Sequence, residues 1–250
     1  MAILGIDIGG SGIKGAMVDL ESGEFTTPRH RIATPEGALP ADVAVVVKEM
    51  VKHFNYQGPV GCGFPAVVRD GVVYTAANID HSWIGVNANK LFSESTGCPV
   101  YIVNDADAAG IAEMTFGVGK DYQEGIVLLL TLGTGIGSAV FVNGHLLPNT
   151  ELGHIEIRGK DAEQRASAAV RTKKKLSWKA WTARLQEYLS KIEMLLSPDV
   201  IIIGGGISKD SEKYFPLLKT RAKMIPASLL NQAGIVGAAL YAHEKGAEKQ

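Results

Sequence analysis

Apolar residues along this chain fall into short β-branched runs that alternate with longer stretches in which they recur every third or fourth position. The runs predict strands near 3–8, 13–19, 59–63, 99–103, 126–132, 136–142 and 199–203. The three-and-four spacing predicts helices near 40–54, 87–95, 105–117, 177–196 and 231–243. Strands interleaved with helices in this order indicate an α/β fold. The clearest helix is 177–196, where Trp178, Trp181, Leu185, Tyr188, Leu189, Ile192, Leu195 and Leu196 share one stripe and Pro198 follows the end. Both tryptophans are therefore expected in the core. Between Gly125 and Val142 no residue is charged, but four glycines, two threonines and a serine interrupt the run. That composition suits a glycine-rich turn between two buried strands better than a membrane-spanning helix.

The pattern repeats once. "ILGIDIGGSGIKGAMV" (3–18) and "VLLLTLGTGIGSAVFV" (127–142) both read as apolar strand, glycine-rich turn, apolar strand, with Asp7 matching Thr131, Gly9 matching Gly133, and one residue gapped between the turns. The echo predicts two related lobes, 1–110 and 111–250, with the last helix (231–243) packing back on the first.

Composition narrows the function classes. The 250 residues are 46% hydrophobic, enough for a sizeable core. Lys and Arg number 25 against 26 Asp and Glu. This balance gives no whole-protein case for nucleic acid or an anionic membrane, so any polyanion site is local. Cys62 and Cys98 are too few for a disulfide framework and lack metal-ligand spacing. No export signal is visible in "MAILGIDIGG", and a cytoplasmic protein is expected.

Three glycine-rich turns follow predicted strands: "DIGGSGIKG" (7–15), "TLGTGIGS" (131–138) and "GGGISK" (204–209). Glycines let backbone N–H groups approach a phosphate closely. None of the three has Walker A or full Rossmann spacing. "GCGFPA" (61–66) approaches the latter, but Pro65 disfavours a continuing helix. Each turn alone reads as a tight hairpin; together, with Asp7 at a strand end, they point to phosphate with magnesium between carboxylate and phosphate oxygens. Lys14 either adds positive charge there or is an exposed strand lysine.

Other polar groups stay open on pattern alone. Asn104-Asp105 joins a strand to a helix, where either residue type serves as an N-cap. Glu151 and His154 lie three apart, around Gly153, which favours a turn in which both are solvated. "RTKKK" (171–175) is a charge run that fits a solvated face or a polyanion track, in company with Lys179, Arg184 and Lys191.

Taken in order, "GIDIGGSGIKGA", "NDADAAG", "LTLGTGIGSA", "ELGH" and "IIIGGGIS" resemble the ROK family of sugar kinases, within the actin-like ATPase superfamily, over nearly the whole chain. The resemblance implies a two-lobed fold with duplicated topology that closes around sugar and phosphoryl donor, and a homodimer. It implies a first phosphate loop at Gly9, Gly10, Ser11, Gly12, Ile13 and Lys14, a second at Thr131, Gly133, Thr134 and Gly135, and a nucleotide-facing turn at Gly204, Gly205 and Gly206. It assigns Asn104 to the sugar and makes Asp105 the catalytic base, ahead of the nearby Asp107. Glu151 and His154 fall on sugar hydroxyls. Many members carry a cysteine-rich zinc motif further on; here no cysteine follows Cys98, so no structural zinc is expected and His154 is expected free of metal. "DAEQRAS" (161–167) aligns with the tail of that motif if Asp161 stands for its last cysteine, which makes Glu163 a third sugar-binding carboxylate.

The short form lacking the cysteines resembles the branch of the family that phosphorylates glucose at O6 from inorganic polyphosphate, many members also accepting ATP. Arg171, Lys173, Lys174 and Lys175 are then candidates to guide polyphosphate. The alternatives are a strictly ATP-dependent hexokinase for glucose or mannose, a sugar-sensing regulator of the same family, and a chaperone or filament ATPase of the superfamily. The regulator resembles this chain only after an added DNA-binding segment, for which the first ten residues leave no room.

Overall fold

The computed structural model describes residues 1–77 and 79–248. Contacts divide the chain into two compact units, Met1–Ala112 with the C-terminal segment from Gln232, and Glu113–Asn231.

The first unit holds strands β1 (Ala2–Gly9), β2 (Gly12–Asp19), β3 (His30–Ile32), β4 (Val60–Phe64), the small hairpin β5 (Val68–Arg69) and β6 (Val72–Val73), and β7 (Val100–Asn104). Its helices are α1 (Pro40–His53), α2 (Ala88–Thr96) and the start of α3 (Asp105–Thr115). The main sheet runs β3-β2-β1-β4-β7, with β1, β4 and β7 parallel and β2 and β3 antiparallel. Parallel strands buried on both faces need continuous apolar runs, and β4 and β7 are buried at every position.

The second unit repeats the plan. It contains β8 (Ile126–Leu132), β9 (Ile136–Val142), β10 (His145–Leu147), the hairpin β11 (Glu156–Ile157) and β12 (Lys160–Asp161), β13 (Val200–Gly204) and β14 (Lys223–Pro226). Its helices are α4 (Glu163–Ala166), α5 (Ala168–Lys173) and α6 (Trp178–Leu196). The sheet order β10-β9-β8-β13-β14 reproduces the first unit strand for strand, antiparallel members included. The predicted echo thus coincides with the hairpins β1–β2 and β8–β9. Its gap has a geometric origin: Gly9 pairs with Gly12 across two residues, whereas Leu132 pairs with Ile136 across three. The uncharged stretch 125–142 is this second hairpin, and no helix is long and apolar enough to cross a membrane among the described residues.

Helix α7 (Ala233–Ala247) belongs to the first unit and lies across β1, β4 and β7. Its buried face combines Ile235 and Val236 with Ala233, Gly237, Ala238, Ala239 and Ala242, and where it crosses the strand glycines backbone meets backbone: a Cβ at Gly5 or Gly61 would sit inside the carbonyl oxygens of Ile235 or Ala238.

In α6 the expected stripe is buried at Trp181, Leu185, Tyr188, Leu189 and Ile192, with Ser177 capping the Ala180 N–H and Ser197 ending the helix in a left-handed conformation. Two expectations need correction. Trp178, in the first turn, is only half-buried, and Leu195, in the last turn, is 54% exposed. Trp181 fills the core fully, and its indole N–H donates to the Ala166 and Ser167 carbonyls. This fastens α4 to α6.

Candidate active site

In the first unit, the β1–β2 turn presents Gly10 and Ser11 at its tip. Nothing lies within 4 Å of a Cβ placed at Gly10, so the backbone there faces open space of the kind a phosphate needs. Ile13, by contrast, is fully buried and offers only its backbone. Two residues not singled out in the sequence brace this loop: the Arg31 guanidinium donates to the Ser11 carbonyl at 2.6 Å and covers Gly12, and the Thr34 hydroxyl donates to the Gly9 carbonyl. The sequence carried no signal for Arg31, which reaches the loop because it pairs with Lys14 across β2 and the three-residue β3. Lys14 is itself opposite Asp7, and its Nζ lies 3.3 Å from Asp7 Oδ2. A cavity of about 440 Å³ adjoins the loop, walled by Gly9, Gly10, Thr34, Phe64, Asp80 and Trp83 among others.

At the β7–α3 junction the capping question has a divided answer. Asn104 is 5% exposed and its Oδ1 accepts from the Ala106 and Asp107 N–H groups, while its Nδ2 donates to the Ala66 carbonyl. Asn104 is thus the cap of α3. Asp105 opens the helix, partly exposed, with Oδ1 2.8 Å from the Ala106 nitrogen, whereas Asp107 is buried. Only the former has access to a ligand.

In the second unit the β8–β9 turn carries Gly133, Thr134 and Gly135. Gly204, the last residue of β13, lies beside Thr131 in parallel register. Gly205 has φ 80° and packs on the Leu132 carbonyl, a place closed to any side chain. The second and third glycine turns are therefore neighbours. α5 starts on the same loop, since the Ala169 N–H donates to the Gly133 carbonyl.

The segment 151–166 closes over β9. Leu152–His154 form a 3-10 turn, pinned because the Ser138 hydroxyl accepts from the Leu152 N–H and because Gly153 packs directly on the Ile136 carbonyl. Glu151 Oε2 lies 3.6 Å from His154 Nε2, and His154 Nδ1 lies 3.0 Å from Asp161 Oδ2. Glu163 Oε2 accepts from the Ile136 N–H at 3.2 Å and fills the space a side chain at Gly135 would need. Burial raises the pKa of Glu151, partly offset by His154 and reinforced by Glu163. The hydrogen bond to Asp161 raises that of His154 against the opposing effect of burial. Glu151, His154 and Glu163 thus form one electrostatic cluster.

The basic run is not uniform. Arg171 stacks its guanidinium 3.6 Å from the Trp178 ring, which in turn stacks on Tyr214, and the buried Arg171 Nε makes no hydrogen bond. Lys173, Lys174 and Lys175 are exposed. No group of three His, Cys, Asp or Glu is arranged to hold a metal ion among the described residues. Asp7, beside the first loop and paired with Lys14, is a single carboxylate of the kind that could hold magnesium together with phosphate and water oxygens.

Comparisons with known proteins agree with this layout. The sequence profile of the ROK family matches residues 3–167. Polyphosphate glucokinase of Mycobacterium tuberculosis (strain CDC 1551 / Oshkosh) is 50% identical over 237 residues, covering 94% of this chain and 89% of that protein. The crystal structure of inorganic polyphosphate/ATP-glucomannokinase from Arthrobacter sp. strain KM matches with a TM-score of 0.93 at 46% identity, covering 98% of this chain and 99% of the other. A ROK family glucokinase from Streptomyces griseus, solved with glucose and AMPPNP, shares the fold at TM-score 0.80 and 23% identity, covering 98% and 100%.

Proposed function

Because this chain belongs to the ROK family, we propose that it transfers a phosphoryl group from inorganic polyphosphate, and from ATP, to O6 of glucose. The observation that carries this reading is the 50% identity to a polyphosphate glucokinase along 94% of the chain. The 46% identity to a polyphosphate/ATP-glucomannokinase supports the dual donor and adds mannose as an acceptor to assay.

The residues divide the work by chemistry. Phosphoryl transfer to an alcohol needs the hydroxyl oriented in line and its proton accepted as the new bond forms. Asp105 takes that proton, and Asn104, held at the cap of α3 by its Oδ1, binds the sugar through the Nδ2 hydrogen not given to the Ala66 carbonyl. Glu151, His154 and Glu163 take the other hydroxyls, each of which offers one donor and an acceptor. Gly9, Gly10, Ser11 and Gly12, with Thr131, Gly133, Thr134 and Gly135, hold phosphate through backbone N–H groups, and Gly204, Gly205 and Gly206 face the nucleotide when ATP is the donor. Asp7 is the carboxylate that would hold magnesium brought in with the donor, and the ion would there neutralise charge on the transferring group. The family resemblance also supports a homodimer, which sedimentation would read out.

The direct test is incubation of the purified protein with glucose and either polyphosphate or ATP, followed by detection of glucose 6-phosphate. Absence of product with both donors would refute the reading. A second prediction concerns donor choice. Neutralising Lys173, Lys174 and Lys175 to Gln should raise the polyphosphate KM and flatten its salt dependence, since each lost phosphate contact removes about one unit of that slope. ATP kinetics should stay unchanged; equal losses with both donors would exclude a polyphosphate track. Arg171 is left out of this set because its guanidinium is stacked on Trp178.

A further inference from the structure

Resting on the assignment of His154 to a sugar hydroxyl, we propose that Asp161 is a positioning residue that fixes the proton of the His154 imidazole on Nδ1 and so keeps Nε2 as the sugar-facing atom. The geometry is direct. Asp161 Oδ2 lies 3.0 Å from His154 Nδ1, and a carboxylate can only accept, so Nδ1 must carry the hydrogen. The partner of one ring nitrogen decides the state of the other. When the ring is neutral, Nε2 presents a lone pair to a hydroxyl donor; when it is charged, Nε2–H points towards Glu151 at 3.6 Å.

Asp161 is itself held rigidly. It ends the β11–β12 hairpin, whose tight turn uses Arg158 and Gly159 at φ 54° and 72°. The Arg158 Nε binds Glu187 Oε1 on α6 at 2.5 Å, and the other oxygen of Glu187 binds Arg165 of α4 at 2.6 Å. The Ala162 N–H, next along the chain, donates to the Ile155 carbonyl. One carboxylate on the core helix therefore ties down both the hairpin bearing Asp161 and the short helix bearing Glu163. The groups that act on His154 are Asp161, Glu151 and Glu163, all acidic; Glu151, 3.6 Å from Nε2, lies beyond hydrogen-bond distance, whereas Asp161 is hydrogen-bonded to Nδ1 at 3.0 Å, so Asp161 decides which nitrogen of the neutral ring carries the hydrogen.

The test compares Asp161→Asn, His154→Ala and the double variant. Asparagine keeps the shape but either donates to or accepts from Nδ1, so tautomer control is lost. In Asp161→Asn the glucose KM should rise about three- to tenfold, while kcat and the polyphosphate KM stay near the parent values. Nitrogen-15 NMR, with His154 signals identified by their loss in His154→Ala, should show Nδ1–H in the parent and a mixture in Asp161→Asn. The ring should also titrate at lower pH in that variant. The double variant should bind glucose no worse than His154→Ala, because Asp161 acts through the imidazole. An unchanged tautomer and KM in Asp161→Asn, beside a raised KM in His154→Ala, would overturn the role of Asp161 alone, as would a double variant worse than His154→Ala. An unchanged KM in His154→Ala would instead remove His154 from the sugar site and the inference with it.

Discussion

Replacing Asp105 by Asn is expected to lower kcat about 10³-fold while glucose affinity changes by less than about threefold. The size follows from what the side chain does: a positioned base contributes 10²- to 10⁴-fold, and asparagine keeps the hydrogen-bonding shape without a site for the proton. The split between kcat and affinity follows from the surroundings. Asn104, not Asp105, caps α3 through the Ala106 and Asp107 N–H groups, so the helix start survives the substitution. Asp107 cannot take over, since it is buried at 1% exposure. Glucose binding by calorimetry and single-turnover phosphoryl transfer would measure the two effects separately. A variant with near-parent kcat would remove Asp105 from proton transfer, and lost glucose binding with retained turnover per bound sugar would make it a ligand instead.

The sequence made the long elements legible because their periodicity runs through whole strands and helices. α1, α2, α6 and the strands of both hairpins begin and end within a residue or two of where pattern puts them. β3, β10 and β14, of three or four residues each, are too short to carry a period of two. The candidate site was legible to the extent that it lies in contiguous motifs: the glycine turns, Asn104-Asp105, and Glu151 with His154. What remained hidden depends on contacts between distant segments. Nothing local marks Arg31 as the cover of Gly12 or Ser138 as the anchor of the 3-10 turn. The stacking of Arg171 on Trp178 spans the break between α5 and α6, where Lys175 has φ 49°, so helical spacing could not reveal it. Within "RTKKK" the exposed charges are the lysines, while Arg171 is half-buried against Trp178.

Gly61→Val should be among the most destabilising single substitutions in the chain, by about 3 kcal/mol or more. For a protein of this length that corresponds to a fall in Tm of about 6–12 °C. The cause is the seating of α7. A Cβ at Gly61 would occupy the Ala238 carbonyl, and α7 has little room to shift, because the adjacent Gly237 is packed on the Ala108 carbonyl of α3. Backbone is pressed on backbone at both residues, and neither contact has a rotamer that could swing away. Two residues further along the same strand, a Cβ at Gly63 would meet its nearest neighbours, the Ala108 Cβ and Gly234 carbonyl, at 3.7 Å, which is ordinary contact. Gly63→Ala should therefore shift Tm by less than about 2 °C. Thermal unfolding of the pair checks the argument, and similar losses at both positions would show that strand glycine content, not the approach of α7, governs stability. Because α3 begins at Asp105, displacing α7 against it should also lower kcat at temperatures where Gly61→Val is still folded. Gly63→Ala, which leaves α7 in place, should keep kcat within about twofold of the parent.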